Sequence, residues 1–321
     1  MNLTSRFVRL LGTIKSRTYS SGSSVVTCIE RLTKRSLLRV SGNEAAPFLQ
    51  GLITNDMRHL EEGSPAMFCV FLNTKGRVLY DSIVYHPPRE NDVFYVECDA
   101  DASPALQRHL KLYRVRKKID IEDIGNTNTI WVAYGETGIE SKNDDLFIVR
   151  DPRLKDLGYR IIAPTTIDVV SDLGGKISND YENMRYRLGV GEGTEELPPG
   201  NCFPLEVNCD YLHGVSFHKG CYIGQELTAR THHTGVVRKR LMPLQYERCQ
   251  DLPQPDSIVL GPGERNVGKV RKLNAQGHGL ALLRVAEVLK SPDDLLVGTL
   301  QVKTQRPSWW PAEVSKDRPS G

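Results

Sequence analysis

Residues 218–231, HKGCYIGQELTART, place one cysteine where it could do chemistry. Cys221 follows His218 and Lys219, is preceded by Gly220, and stands ahead of a run able to form a helix. With the helix starting near Tyr222, the thiol falls at or beside the N-cap. Free N–H groups and the helix dipole there favour a thiolate. Lys219, and His218 when protonated, push the same way. A thiolate binds soft iron or copper, or attacks an electrophile. Gly220 and Gly224 let backbone approach a ligand closely, and Gln225, Glu226 and Arg230 lie on the turns that follow. The same spacing also suits a buried cysteine at a helix start, with solvated charges around it.

Three other places hold groups of interest. Just upstream, PLEVNCDYLHGVSF carries Glu206 and Asp210 in a partly apolar, loop-like stretch. A carboxylate held in a cleft suits the amidine-like edge of a heterocycle such as a pterin; ordinary loop acids fit the spacing as well. LNTKGRVLYD puts Asp81 on a strand after a hairpin turn, among apolar neighbours. It is either a site residue or an outward-facing one by period-two alternation. His232 and His233 are adjacent, so they point apart in a helix or a strand, and no H-x-x-x-H partner accompanies them.

The elements around these residues are strands with interspersed helices rather than regular βαβ alternation, which makes the class α+β. VVTCIERL and SLLRVSG read as two strands, then NEAAPFLQGLI as a helix with Pro47 in its first turn. AMFCVFLN and RVLYDSIVYH are strands joined by the Thr74-Lys75-Gly76 turn, and VFYVECD is another. Ser103-Pro104 begins a helix in the order cap then N1, running to about Lys118. Its basic face suits solvent or an anion better than nucleic acid. IDIEDIG and TIWVAYG open a second β-rich unit, and Ser178 caps a further helix. From Val236 onward short strands separated by Gly, Pro and Asn turns predict a small β-barrel or sandwich. The expected division is a presequence at 1–24, α+β domains at 25–122 and 123–197, a motif segment at 198–235, a barrel at 236–310 and a flexible tail at 311–321.

The first two dozen residues contain Arg6, Arg9, Lys15 and Arg17 and no acid before Glu30. Leu3, Phe7, Leu10, Leu11 and Ile14 follow helical spacing. An amphipathic, acid-free, Arg- and Ser-bearing start is the signature of a mitochondrial presequence. Its removal takes four positive charges and turns the formal net charge from +3 to −1. The mature chain then has no bulk electrostatic case for nucleic-acid binding. No apolar run reaches the ~18 residues a membrane span needs. Seven cysteines without a C-x-x-C pair argue against a disulfide framework or a zinc ribbon and fit a reducing compartment such as the mitochondrial matrix.

Residues 219–226, KGCYIGQE, resemble the YgfZ-type folate-binding proteins, relatives of the glycine-cleavage T-protein (an aminomethyltransferase). FLQGLITND (48–56), LNTKGRVLYD (72–81), PLEVN (204–208) and GLALLR (279–284) match in order and span nearly the whole mature chain. With the presequence, the resemblance points to the mitochondrial iron–sulfur cluster assembly branch. It implies an aminomethyltransferase-like, three-domain ring around a central folate-sized channel, closed by a C-terminal β-barrel. It implies tetrahydrofolate as a ligand, with Glu206 at the pterin-contacting position. Asp81, Lys219, Gln225, Glu226 and Arg230 complete the candidate cofactor-binding set. Cys221 becomes the functional thiolate and a ligand to a [2Fe–2S] cluster. Such a cluster usually takes four thiolates, so a partner or glutathione must supply the rest. The partners implied are A-type scaffold proteins that support [4Fe–4S] maturation, with the chain monomeric alone. The T-protein usually carries two acids at the end of the hairpin motif and lacks the cysteine octet; here Tyr80 precedes a single Asp81. Both departures weaken aminomethyl transfer. A tetrahydrofolate-dependent one-carbon or aminomethyl transferase remains the alternative.

Overall fold

The computed structural model describes residues 27–88, 90–135, 139 and 141–312. The expected presequence and most of the expected flexible tail lie outside these residues. In chain order the N-terminal part forms β1 (Cys28–Arg31), β2 (Arg35–Ser41), α1 (Ala45–Gln50), α2 (Arg58–Glu61), β3 (Ala66–Leu72), β4 (Val78–Tyr85), β5 (Val93–Asp99), α3 (Ser103–Arg114) and β6 (Asp120–Asp123). The middle forms β7 (Asn128–Tyr134), β8 (Phe147–Arg150), β9 (Tyr159–Pro164), α4 (Val169–Leu173), β10 (Lys176–Ile177) and α5 (Tyr181–Leu188). After a long irregular stretch come α6 (Gln225–Thr234), β11 (Lys239–Tyr246), β12 (Ile258–Gly261), β13 (Arg265–Leu273), β14 (His278–Arg284), α7 (Val285–Val288), β15 (Leu295–Val297) and β16 (Leu300–Thr304).

These strands make two five-stranded sheets, in orders β3-β4-β5-β2-β6 and β10-β1-β7-β9-β8, and one closed barrel, β11-β14-β13-β12-β15-β16. Closure removes the edges a small antiparallel sheet would expose. In the first sheet β3 is buried along its whole length, because both faces are covered. One face carries Phe68 and Val70 into the core under the second sheet. The other carries Met67, Cys69 and Phe71 against Phe48 and Leu49 of α1 and Leu106 and Leu110 of α3.

Two strands cross the boundary that the sequence suggests. β1, expected within the first unit, pairs antiparallel with β7 and parallel with β10 in the second sheet. β6, expected to open the second unit, pairs with β2 in the first. The chain therefore starts in one sheet, builds the other, and returns. Helix starts also move. Ser103 is the first residue of α3 and its hydroxyl donates to Asp123 rather than capping. The helix stops at Arg114, where Val115 adopts φ 49°, a conformation costly for a β-branched side chain. α5 begins at Tyr181, after Asp180 and not Ser178.

Between the two sheets lies a buried ionic joint. Arg35 from β2 bonds Asp81 of β4 at 2.9 Å and Glu97 of β5 at 2.8 Å. Arg160 from β9 bonds Glu97, Asp151 and Glu192, and Arg153 bonds Asp151 and Glu192. Burial alone would raise Glu192, but the surrounding Arg160, Arg153, Arg35 and Arg185 hold it well below the usual carboxylate range. Every carboxylate in the joint faces a guanidinium, the condition under which buried charge is tolerated.

Candidate functional site

The KGCYIGQE segment is clamped onto the first sheet's helical layer. Lys219 donates from Nζ to the carbonyls of Gln50 (2.7 Å), Ile53 (2.7 Å) and Asn55 (2.6 Å), at and beyond the end of α1. Its ammonium also lies 4.9 Å from the centre of the Tyr222 ring. Burial pushes the Lys219 ammonium down to about 8, and three carbonyl dipoles favour the charged form at neutral pH. Tyr222 is buried and its N–H donates to the Gln225 side chain. Ile223 donates its N–H to the Gly51 carbonyl and packs on the α1 core.

The hairpin motif locks the other side. Gly224 has φ 78°, and a Cβ there would sit 2.3 Å from the Asn73 carbonyl oxygen. Gly76 has φ 73°, and a Cβ there would sit 2.9 Å from the Gly224 carbonyl oxygen. Both glycines are thus required by backbone conformation and by the approach of the β3–β4 turn to the start of α6.

What this clamp leaves outside is the thiol. Among the seven cysteines Cys221 is the exposed one; Cys69, Cys98, Cys202 and Cys209 are buried, and Cys28 and Cys249 are half-buried. Burial pushes the Cys98 and Cys202 thiols up to about 12, and Cys69 and Cys209 higher still. Those four are therefore neutral packing groups. The structure corrects one expectation about Cys221. α6 begins at Gln225 with Gly224 as its N-cap, so the thiol lies upstream of the helix mouth. Lys219, expected to face the thiol, is committed to the carbonyl cradle. Exposure on a pinned loop, rather than the helix dipole, distinguishes this thiol.

The remaining expected residues separate into groups. Gln225 holds the loop through the Tyr222 N–H, while Glu226 and Arg230 are exposed on α6. Asp81 is in the ionic joint, bonded to Arg35 and accepting the Gly193 N–H at 3.0 Å. Glu206 sits in the 3-10 turn Pro204–Val207 and accepts the Phe203 N–H at 3.0 Å. Its carboxylate also lines a pocket of about 270 Å³ with Leu205, Leu227 and Val236. Asp81 is not part of that lining, so the two carboxylates do not converge there. Asp210 is held by Arg240 through two bonds of 2.8 Å. His232 stacks on Phe217 with centres 3.5 Å apart. Among the described residues no three His, Cys, Asp or Glu side chains gather to hold a metal ion. Sequence reasoning missed Arg35, Glu97, Arg160 and Glu192, whose partners are remote in the chain and leave no local spacing signal.

The fold and the exposed loop define the class first. The architecture is aminomethyltransferase-like: it aligns with the crystal structure of glycine cleavage system aminomethyltransferase T from Bartonella henselae with a TM-score of 0.67, at 14% identity, covering 89% of this chain and 87% of that one. Residues 238–312 match the family described as the C-terminal beta-barrel domain of CAF17. The chain is 40% identical over 313 residues to the iron-sulfur cluster assembly factor IBA57, mitochondrial, of Homo sapiens, covering 89% of this chain and 86% of the relative. The Mus musculus protein of the same name is 39% identical, with 89% and 86% covered. The Dictyostelium discoideum homologue is 34% identical, with 73% and 67% covered. The chain belongs to the IBA57 family of mitochondrial iron–sulfur cluster assembly factors. Among the described residues no helix is long and apolar enough to cross a membrane.

Proposed function

We propose that this protein works in the mitochondrial matrix as an assembly factor that offers Cys221 as one ligand to a [2Fe–2S] cluster. An A-type scaffold protein supplies the other ligands, and the shared cluster serves the maturation of [4Fe–4S] proteins. The observation that carries this reading is the exposure of Cys221 on a loop anchored on both sides, by Lys219 before it and by Tyr222 to Gln225 after it. A lone thiolate fills one of the four positions a [2Fe–2S] cluster takes. No set of three metal-ligating side chains accompanies it among the described residues, so the cluster is cargo held between two proteins. The chain is monomeric until the partner arrives.

A tetrahydrofolate-dependent transferase draws support from the T-protein-like fold and from the pocket beside Glu206. It would need Asp81 free for a ligand, and Asp81 is bonded to Arg35 and Gly193. We therefore favour the assembly reading. The test is anaerobic reconstitution of the full chain with an A-type scaffold protein, iron and sulfide, read by visible absorption and size. Wild type is expected to give a heterocomplex with a bound cluster, and Cys221→Ser to lose the cluster while remaining folded. Equal cluster content in the Cys221→Ser complex would refute the role given to the thiol. In depleted cells, loss of glycine-cleavage flux with aconitase and ferredoxin intact would move the reading to the transferase.

A further inference from the structure

A second cavity, of about 400 Å³, opens between the β3–β4 turn, the 3-10 turn at 204–207 and the barrel wall. Its lining brings together Arg77, Lys239, Lys269, Arg271 and Arg284, with Glu206 the one acid among them. These cations come from distant parts of the chain, so local composition does not account for their meeting. Two are balanced from outside the cavity: Arg271 by Asp256 at 2.8 Å and Arg284 by exposed Glu287 at 3.5 Å. With Glu206 counted as well, two positive charges remain. The Lys239 and Lys269 ammonium groups have no ion-pair or hydrogen-bond partner among the described residues.

The guanidiniums are fixed in advance. Asn201 accepts from Arg77 through its backbone carbonyl at 2.8 Å and from Arg271 through its side-chain oxygen at 3.2 Å. Arg77 also lies 4.4 Å from the Phe203 ring centre, a cation–π contact on its flat face. One residue thus sets the spacing of two planar forks, each with donors to spare. Uncompensated like charges that converge in a concave, partly closed site raise the local potential for anions. Forks held in position lose little freedom on binding a carboxylate or phosphate.

We propose that this pocket binds a small oligoanion carrying at least two carboxylate or phosphate groups, seated between the Arg77–Arg271 pair and the Lys239 and Lys269 ammonium groups. The site is separate from the Cys221 loop and does not depend on the cluster reading.

The experiment is calorimetric titration of the full chain with citrate and, separately, with pyrophosphate, at ionic strength held constant with chloride. Saturable binding of either, weakened about tenfold or more in Lys239→Gln/Lys269→Gln, is expected. Binding of citrate alone assigns polycarboxylates, and of pyrophosphate alone assigns phosphates. Lys290→Gln, an exposed lysine elsewhere, and Cys221→Ser should bind as wild type does. If the double variant fails to fold, the single exposed Lys269→Gln carries the comparison. No saturable binding of either anion, or equal binding by the lysine variants, overturns the proposal.

Discussion

Replacing Lys219 with Met tests whether the cysteine loop is held by its carbonyl cradle. Methionine keeps an unbranched apolar stem against Tyr222 and deletes the ammonium. Three charge-assisted bonds of 2.6–2.7 Å disappear together. A buried acceptor left without a donor costs about 1–3 kcal/mol. Two effects offset part of that sum: water can reach the half-buried cradle, and the ammonium no longer has to be desolvated. A net loss of about 2–4 kcal/mol follows. At ~2–4 °C per kcal/mol for a chain of a few hundred residues, Tm should fall by roughly 4–16 °C. The loss should also be local. Hydrogen exchange measured by mass spectrometry should speed up at 219–224 and at 50–56, the two sides of the cradle, while barrel peptides keep their protection. Cluster yield with the scaffold partner should fall although the thiol is intact. A Tm within about 1 °C of wild type, with unchanged exchange on both sides, would refute the clamp.

Other perturbations follow from the same geometry. Gly224→Ala places a Cβ 2.3 Å from the Asn73 carbonyl oxygen at φ 78°, so it should cost about 2–4 kcal/mol in urea unfolding. Gly220→Ala meets nothing within 4 Å and should be neutral; equal effects would show that the close approach does not matter. Asp81→Asn keeps an acceptor for Gly193 but strips Arg35 of one carboxylate, which should cost about 3 kcal/mol; unchanged stability would mark Asp81 as a ligand group rather than part of the joint. Asp56 is held down to about 2, chiefly by the Arg58 side chain. Its contribution is therefore present above the ordinary carboxylate range and lost as pH falls through about 2. Since Arg58 is 63% exposed, about 1 kcal/mol is expected; urea melts of wild type and Asp56→Asn should converge under acid, and parallel curves would exclude the pair.

The C-terminal strands were legible because turn residues at short spacing announce a barrel or a sandwich; the structure closes β11 to β16 into a barrel. Sheet membership was not. β1 has a good strand pattern, but the pattern cannot say that its partner is β7, about a hundred residues on, rather than β2 next door. Long-range packing goes with that choice: Ile29 of β1 is buried with Ala133, Ile161 and Val169 of the second unit. Asp81 shows the same limit on a smaller scale. Alternation left it either outward or in a site, and the structure gives it a buried guanidinium from another strand. Spacing in the sequence puts Lys219 beside the thiol, whereas its partners in the structure are three backbone oxygens, which have no sequence signature at all.

The carbonyl partners of Lys219 change what the motif means. If Lys219 and a helix N-terminus activated the thiol, the octet would be a reagent, and a nearby electrophile would be expected. Instead Lys219, Tyr222, Ile223, Gly224 and Gln225 each satisfy a structural demand of α1, the β3–β4 turn or the loop itself. Only Gly220, Cys221 and Glu226 of the octet are exposed. A nucleophile gains from a pocket that excludes water and orients its target. A ligand shared with another protein gains from the opposite, an accessible sulfur on a rigid support, since rigidity spares the ordering cost when the partner docks. Cys221 has an accessible sulfur on an anchored loop, which is the arrangement that the proposed sharing would need. Because its supports are the end of α1 and the β3–β4 turn, the position of the sulfur is tied to the first sheet. Under the proposed sharing, mutations in that layer that leave the thiol untouched should therefore weaken cluster binding in proportion to how far they loosen residues 219–224.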